Sequence, residues 1–335
     1  MIQPQESVSQ TENSNHAEAQ NPGSPPRVSI IVPVYNARVT IRNLLDSIYK
    51  CNYRNVEIIL VDDASTDNGL DAVRTDYPDV TILRNERNRG KSWSLNRGIS
   101  SSSGEFLVIA DPDLTFAPTL LSSWLGAMAA NPRMGVAGCF VYYKDEPAVL
   151  AHAGAIMNEK RAVIKRRLEN VPFAHDAEFY EESCEWVFDD LYMLRRTALD
   201  DVGLYDYIDF PTMLEEADLQ TRIAKAGYDK AIVAGARALH EIPSDKWGQL
   251  RRYSPYKIEF LCRNHLILFR KFGSLTIPKS SALIVRYFLY YTFVAMIQPV
   301  SLRGRVNLLS AMGVGIIRGL MDPVNPSTNA DTSNH

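Results

Sequence analysis

Short apolar runs and helical apolar spacing alternate along the chain between residues 28 and 130. Apolar runs that end in turn or polar residues predict buried strands, and apolar residues three and four apart predict helices. The predicted strands cover 28–36 (with its terminal turn), 56–61, 80–83 and 105–110, and the predicted helices cover 39–51, 91–99 and 118–130. This alternation predicts an α/β fold with a Rossmann-like, mostly parallel sheet and helices on both faces.

The pattern becomes less regular after residue 136, where short strands of mixed character are expected. The apolar stretch 186–194 is interrupted by two carboxylates, Asp189 and Asp190. Two short strands are expected near the end of this part, and the second ends at His240. The ranges are 136–168 for the mixed strands, 214–226 for a helix that stops at Gly227, and 230–234 and 237–239 for the last two strands.

The C-terminal part has a different pattern. Residues 258–272 predict a basic amphipathic helix, 282–300 is nearly all apolar with one charge at Arg286, and 308–320 is a shorter apolar run. A helix that spans a membrane needs about 20 apolar residues. We therefore expect these helices to lie in, or dip into, a membrane surface, and the alternative is a soluble helical subdomain.

Composition limits the domain organisation and the partners of the 335-residue chain. The net charge of −3 gives no basic field of the kind that binds nucleic acid, so no nucleic-acid partner is expected. We expect disordered tails at 1–26 and 323–335, an α/β domain over 27–245 and a helical, membrane-associated segment over 246–322. No secretory signal pattern is seen, which favours a cytoplasmic location.

The four cysteines lie far apart and lack the spacing of metal ligands. We expect small, buried apolar residues at these positions, which are Cys51, Cys139, Cys184 and Cys262.

Candidate chemistry begins where the fourth predicted strand ends, at Asp111-Pro112-Asp113. Two carboxylates one residue apart, on backbone stiffened by proline, offer hard oxygen ligands that suit Mg²⁺ or Mn²⁺. Ligands of open α/β sheets bind at the carboxyl ends of strands. The alternative is a simple Asp-Pro-Asp turn without a ligand.

Five short segments occur in an order and at a spacing that together resemble the family 2 glycosyltransferases of the GT-A fold, including their rhamnosyltransferase-like members. The resemblance covers residues 28–240. The segments are 32–36 (VPVYN), 61–67 (VDDASTD), 88–90 (NRG), 111–113 (DPD) and 214–219 (LEEADL).

The resemblance implies a nucleotide-sugar site across the first strand ends. Pro33, Tyr35 and Asn36 would form its floor beside the base. Asp63 would accept from the ring NH of the base, because an ionised carboxylate is an acceptor only. Lys91 would meet a phosphate, or it is a solvated surface residue.

The resemblance also implies a metal site. Asp111 and Asp113 match the family's DXD motif, in which one carboxylate faces the ribose and the metal and the other faces the metal directly. His240 lies where many relatives place a third metal ligand, or it is an ordinary buried or surface histidine. The metal would neutralise the departing nucleoside diphosphate.

Glu215, Glu216 and Asp218 match the acidic motif that supplies the family's general base. Glu216 aligns with the residue usually given that role. This chain has Glu-Glu where many relatives have Glu-Asp, so the choice between Glu215 and Glu216 stays open. Asp189 and Asp190 depart from the small residues that relatives often carry, and they would lie near the donor sugar and acceptor.

The expected function is a metal-dependent, inverting transfer of a sugar from a UDP, dTDP or GDP sugar. The expected acceptor is a lipid-linked or cell-envelope glycan at the inner face of a membrane. The alternatives are a nucleotidyltransferase and an inactive module that binds nucleotide sugars. A nucleotidyltransferase would need a basic, glycine-rich loop near the N-terminus, and residues 33–42 do not supply one.

Overall fold

The structure is a computed structural model that describes residues 24–173, 181–183, 185–242, 244, 253–273 and 275–325. The tails predicted at 1–26 and 323–335 therefore lie outside the described residues, apart from 24–26 and 323–325, and so does Cys184. The other three cysteines are buried, as expected.

The first half of the chain alternates strands and helices as predicted. Four parallel strands pair in the order β4-β1-β2-β3, so their carboxyl ends meet at one edge of the sheet. The elements are β1 (Val28–Val34), α1 (Ile41–Tyr49), β2 (Val56–Asp62), α2 (Asp71–Asp76), β3 (Thr81–Arg84), α3 (Lys91–Ser100) and β4 (Phe106–Ala110).

Strand β1 is central in the sheet, between β2 and β4, and both of its faces are buried. Ile30 and Val32 belong to the hydrophobic cluster that includes the apolar face of α1. Ile31 points to the other face, where it joins a second cluster with Leu95 of α3. Full burial of one such side chain contributes about 1.5–3 kcal/mol, which explains why a continuous apolar run forms this strand.

The second half of the chain adds mostly antiparallel strands to this sheet and forms a separate three-stranded sheet from residues 155–158, 163–166 and 186–187. Its elements are β5 (Leu114–Phe116), α4 (Leu120–Ala130), β6 (Met134–Tyr143), β7 (Val149–His152), β8 (Ala155–Asn158), a 3₁₀ turn (Glu159–Arg161), β9 (Val163–Arg166), β10 (Val171–Pro172), β11 (Glu181–Glu182), β12 (Trp186–Val187), β13 (Leu191–Arg195), α5 (Arg196–Val202), α6 (Glu215–Lys225) and β14 (Asp229–His240).

Strand β13 joins the two halves of the sheet. It pairs antiparallel with β4 on one side and with β6 on the other, so the sheet is mixed and the parallel pattern holds chiefly for β1 to β4. The two short strands predicted before His240 form one strand, β14, with a register shift between Ile232 and Arg237. Gly235 lies inside this irregularity with a φ of 71°, a conformation that glycine adopts without strain.

Three helices follow: α7 (Pro255–Lys271), α8 (Ile277–Ile297) and α9 (Leu302–Met321). They lie where helices were predicted, and each begins several residues earlier than its apolar pattern. Helices α7 and α9 pack closely, since a Cβ added at Gly315 would lie 2.3 Å from the carbonyl oxygen of Glu259. A third cluster joins these helices to Phe210 and to Ala217 of α6, so the helical segment packs on the α/β part.

Within the described residues, α8 is the one helix long and apolar enough to cross a membrane by length and composition.

Candidate functional site

Three strand ends and the start of α6 bring the predicted site residues to one edge of the sheet. The amide of Asp63 donates to the carbonyl of Val34 at 2.8 Å, which joins the ends of β2 and β1. The amide of Asp111 donates to the carbonyl of Asp190 at 2.9 Å, which joins the end of β4 to the start of β13.

Asp63 is buried and shapes the loop that leads into α3. Its Oδ1 accepts from the amide of Arg89 at 2.8 Å and from the Asn85 side chain at 2.8 Å, and its Oδ2 accepts from the amide of Gly90 at 2.9 Å. Gly90 has a φ of 91°, and a Cβ there would lie 2.6 Å from the carbonyl oxygen of Pro211. Glycine is therefore required at this position by the chain's own backbone.

The three residues predicted to line a base follow β1. Pro33 is buried within the strand, opposite Val61. Tyr35 is 53% exposed, so its ring is accessible at the edge of the site. Asn36 has a φ of 53° and accepts from the amide of Thr66 at 2.8 Å, which links the loops after β1 and β2.

Lys91 is the charged centre of the site. Its Nζ lies 2.8 Å from Oδ1 of Asp111 and 3.4 Å from Oε1 of Glu215. Burial opposes the charge on Lys91, but the carboxylates of Asp111 and Glu215 outweigh it and raise its pKa well above the usual value. The alternative of a solvated surface lysine was wrong, because the side chain is only 23% exposed and joins β4 to α6.

Asp113 and His240 meet as predicted, with Oδ1 of Asp113 3.2 Å from Nε2 of His240. Burial disfavours charge on Asp111, and together with the nearby Asp113 it raises the pKa of Asp111 to about 6, although Lys91 lowers it. Burial also opposes a charged His240, but Asp113 and Asp190 outweigh it and raise the pKa of His240 to about 10. Carboxylates and an imidazole are donors that Mn²⁺ accepts, so the chemistry of Asp111, Asp113 and His240 suits the predicted cation. Among the described residues, however, the three groups whose donor atoms lie within 4.8 Å of one another are His152, Asp190 and His240.

Behind His240 lies a buried pair formed by Asp190, which was expected near the donor sugar and acceptor, and His152, which was not predicted as a site residue. Oδ2 of Asp190 lies 2.9 Å from Nδ1 of His240 and 2.9 Å from Nε2 of His152. Burial disfavours the Asp190 carboxylate, but His152 and His240 outweigh it and hold its pKa well below the usual range. Asp189, by contrast, contacts Arg166 at 3.1 Å. Oδ1 of Asp189 also lies 3.7 Å from Nδ1 of His152, so the two adjacent carboxylates face opposite nitrogens of the same imidazole.

The acids of α6 have three different environments. Glu215 is buried beside Lys91, whereas burial and the neighbouring Glu215 raise the pKa of Glu216 well above the usual value. Asp218 is fully buried, 3.0 Å from Nε of Arg222 and 2.9 Å from Nζ of Lys271. The contacts of Asp218 thus anchor α6 to α7.

Comparison with known proteins places this arrangement in a family. Residues 29–201, slightly more than half of the chain, match the profile described as Glycosyl transferase family 2. The chain belongs to this family. The expected GT-A-like α/β fold is confirmed for this family 2 protein by solved structures that cover most of its length.

Individual relatives match this family 2 protein at modest identity. The N-acetylglucosaminyl-diphospho-decaprenol L-rhamnosyltransferase of Mycobacterium tuberculosis (strain CDC 1551 / Oshkosh) is 27% identical over 230 residues, which are 63% of this chain and 75% of the relative. An uncharacterized glycosyltransferase of Haemophilus influenzae is 34% identical over 116 residues, 35% of this chain. That match spans only 38% of the Haemophilus protein's length.

A similar solved structure is the mannosyltransferase PcManGT from Pyrobaculum calidifontis in complex with GDP-Man and Mn²⁺. It has a TM-score of 0.54 and 21% sequence identity, and the likeness covers 91% of this family 2 protein and 90% of the mannosyltransferase chain. At this identity the likeness carries the fold and not the ligands.

Proposed function

We propose that this protein is a metal-dependent, inverting glycosyltransferase that uses a nucleotide-diphosphate sugar. The observation that carries the proposal is the ion-paired contact of Lys91 with both Asp111 and Glu215. It links the DXD motif to the helix that bears the predicted base, over a distance of a few ångströms. A nucleotide sugar bound at the DXD motif would present its sugar to the acids of α6.

Asp111, Asp113 and His240 would hold the divalent cation. A cation held there would neutralise the negative charge of the departing nucleoside diphosphate. Lys91 adds a fixed positive charge beside Asp111, since its raised pKa keeps it protonated. Pro33, Tyr35, Asn36 and Asp63 would form the nucleotide side of the site.

Glu216 would act as the general base. Burial and the charge of Glu215 raise the pKa of Glu216 well above that of an ordinary glutamate, which makes it a stronger base for a proton from a hydroxyl group. The acceptor oxygen attacks the anomeric carbon, its proton moves to a Glu216 oxygen, and the bond from that carbon to the diphosphate oxygen breaks. Attack from the side opposite to the diphosphate inverts the configuration.

Glu215 is the weaker candidate for the base because its Oε1 already contacts Lys91 at 3.4 Å. Asp218 would hold α6 in place through Arg222 and Lys271. Glu216 and Asp218 thus have separate proposed roles.

The proposed acceptor is a lipid-linked or cell-envelope glycan, reached from the cytoplasmic face of a membrane in polysaccharide biosynthesis. Two observations support it. The mycobacterial relative is named for a decaprenol-linked substrate, and α8 exposes large apolar side chains such as Val285, Phe288 and Leu289. The domain 27–245 would be catalytic, and 246–322 would be the membrane-associated segment.

The test is hydrolysis of a panel of UDP-, dTDP- and GDP-sugars without acceptor, in Mn²⁺ and in excess EDTA. We expect one class to release nucleoside diphosphate with Mn²⁺ and to lose this turnover in EDTA. In a parallel assay with nucleoside triphosphates and sugar 1-phosphates, release of pyrophosphate would indicate a nucleotidyltransferase. No turnover in either assay would indicate an inactive module. Full turnover in EDTA would remove the metal from the mechanism.

A further inference from the structure

A buried row of four side chains runs inward from the predicted metal site. Asp113 contacts His240 at 3.2 Å, His240 contacts Asp190 at 2.9 Å, and Asp190 contacts His152 at 2.9 Å. His152 and Asp190 are 2% and 5% exposed, so water does not satisfy them. None of the roles proposed above uses these two residues.

Hydrogen bonding fixes which nitrogen of His152 carries its proton. The amide of Gly154 donates to Nδ1 of His152 at 3.3 Å, so Nδ1 is the acceptor nitrogen. In the neutral ring the proton then lies on Nε2, which donates to Oδ2 of Asp190. His152 therefore holds Asp190 as a charged acceptor facing His240.

A histidine that ligates a metal through Nε2 must carry its proton on Nδ1, and that proton is usually held by a carboxylate or carbonyl group. In this protein Nδ1 of His240 lies 2.9 Å from Oδ2 of Asp190, while Nε2 faces Asp113. The ring thus presents Nε2 to Asp113 and Nδ1 to Asp190, and the 2.9 Å contact on the Asp190 side is an ion pair without hydrogen-bond alignment.

Asp190 contacts two of the predicted metal ligands, Asp111 and His240. Its backbone carbonyl accepts from the amide of Asp111, and its carboxylate contacts His240. The next residue, Leu191, pairs with Ala110 at the end of β4. A second observation points to function, because Oδ1 of Asp190 is buried without a hydrogen-bond partner among the described residues. Burial of an incompletely satisfied carboxylate costs stability.

We propose that Asp190, held by His152, is a positioning residue that orients His240 and the DXD backbone for the divalent cation. This inference rests on the proposed function. It gives Asp190 a role in metal affinity, in place of the contact with the donor sugar that its position in the sequence suggested.

The test measures Mn²⁺ binding through the electron paramagnetic resonance signal of free Mn²⁺, for the full chain alone and with UDP or GDP. Asp190→Asn keeps the shape of the side chain and removes its charge, and Mn²⁺ should bind about 10–100-fold more weakly. The control is Asp201→Asn, which removes an exposed carboxylate of α5 that contacts Tyr228 and should leave Mn²⁺ affinity unchanged. Equal affinity of wild type and Asp190→Asn would overturn the inference.

A second pair of variants separates positioning from general structural damage. His152→Gln retains an N–H donor for Asp190 and should keep most of the Mn²⁺ affinity, whereas His152→Leu removes the donor and should weaken binding as Asp190→Asn does. Thermal unfolding checks that the variants fold. If both His152 variants lose Mn²⁺ affinity in proportion to their loss of thermal stability, the contacts among His152, Asp190 and His240 have a structural role only.

The outcomes also separate this inference from the proposed function. If wild type binds Mn²⁺ and Asp113→Ala does not, the metal site stands, and the Asp190 and His152 variants decide the inference alone. If wild type and Asp113→Ala show the same weak binding, the proposed metal site fails and the inference fails with it.

Discussion

Two adjacent glutamates, Glu215 and Glu216, have different electrostatic surroundings although both are buried. Lys91 pairs directly with Glu215, whereas Glu216 is raised in pKa by burial and by the charge of Glu215. The proposed role of Glu216 as the base is therefore kept although glutamate replaces the last acid of the family pattern. The local charges support Glu216 even though the sequence left the choice open.

This difference predicts a pH dependence. Glu216 accepts a proton only when ionised, so kcat/KM should rise with pH through a pKa above the usual range of a glutamate, about 4.3. Glu215→Gln removes a like charge and frees Lys91 to act on Glu216. Both effects lower the pKa of Glu216, so the rising part of the pH–rate profile should move to lower pH. An unchanged profile, or a shift to higher pH, would contradict the assignment.

At the scale of elements, α7 supports the loop that begins α6. Met213 and Leu214 have φ values of 63° and 66°, which are uncommon for residues with side chains. The buried amide of Asn264 donates to the carbonyls of Thr212 and Met213, each at 2.7 Å. Helix α7 thus stabilises the turn that positions Glu216.

Asn264→Leu should test this support. The substitution leaves the Thr212 and Met213 carbonyls without their donor, which costs roughly 1–3 kcal/mol for a buried group. We expect a lower melting temperature and a lower kcat with donor affinity nearly unchanged, since the nucleotide side of the site lies on other elements. Asn307→Leu, an exposed asparagine on α9, is the matched control. Wild-type stability and turnover in Asn264→Leu would exclude this role for α7.

Strands β1 to β4 could be predicted because each strand of a parallel, doubly wound sheet has a local sequence signal, an apolar run followed by helical apolar spacing. Parallel strands also bring their ends together, so Asp63 and Asp111 were found from sequence. His152 and Asp190 could not be found in this way. Their contact depends on antiparallel pairing of β6 with both β7 and β13, which joins segments far apart in the chain. The inward position of Lys91 likewise depends on Glu215, more than a hundred residues away.

At the scale of the whole molecule, α8 and α9 both expose large apolar side chains and carry basic residues, of which Arg318 pairs with Glu259. From residue 277 to 321 the sequence carries Lys279, Arg286, Arg303, Arg305 and Arg318 and no acidic residue. Phe288 and Phe293 are 56% and 46% exposed on α8. Acidic lipids attract such charge by roughly 1 kcal/mol per basic residue near the surface. The apolar side chains would then insert at the acyl boundary.

Sedimentation with vesicles of acidic phospholipid tests this surface. The full chain should sediment with the vesicles at low salt, and Phe288→Glu with Phe293→Glu should weaken binding at least about tenfold, since burial of each ring contributes about 1.5–3 kcal/mol. Val39→Glu, at an exposed position of the α/β part, should bind as wild type does. Removal of the helices would be a poor test because α7 supports the site. A wild-type chain that stays in the supernatant would leave the lipid-linked acceptor without its main structural support.

The central claim, that this strand edge is a transferase site with Glu216 as base, is tested most directly by the turnover of Glu216→Gln. The substitution keeps the shape of the side chain and removes the proton acceptor. With Mn²⁺ and the donor class identified by the hydrolysis panel, nucleoside diphosphate release should fall by about 10²–10⁴-fold while donor affinity stays nearly unchanged. Glu215→Gln is the matched control and should retain turnover at pH values above the lowered pKa of Glu216. Wild-type turnover in Glu216→Gln would contradict the account, whether or not Glu215→Gln is active.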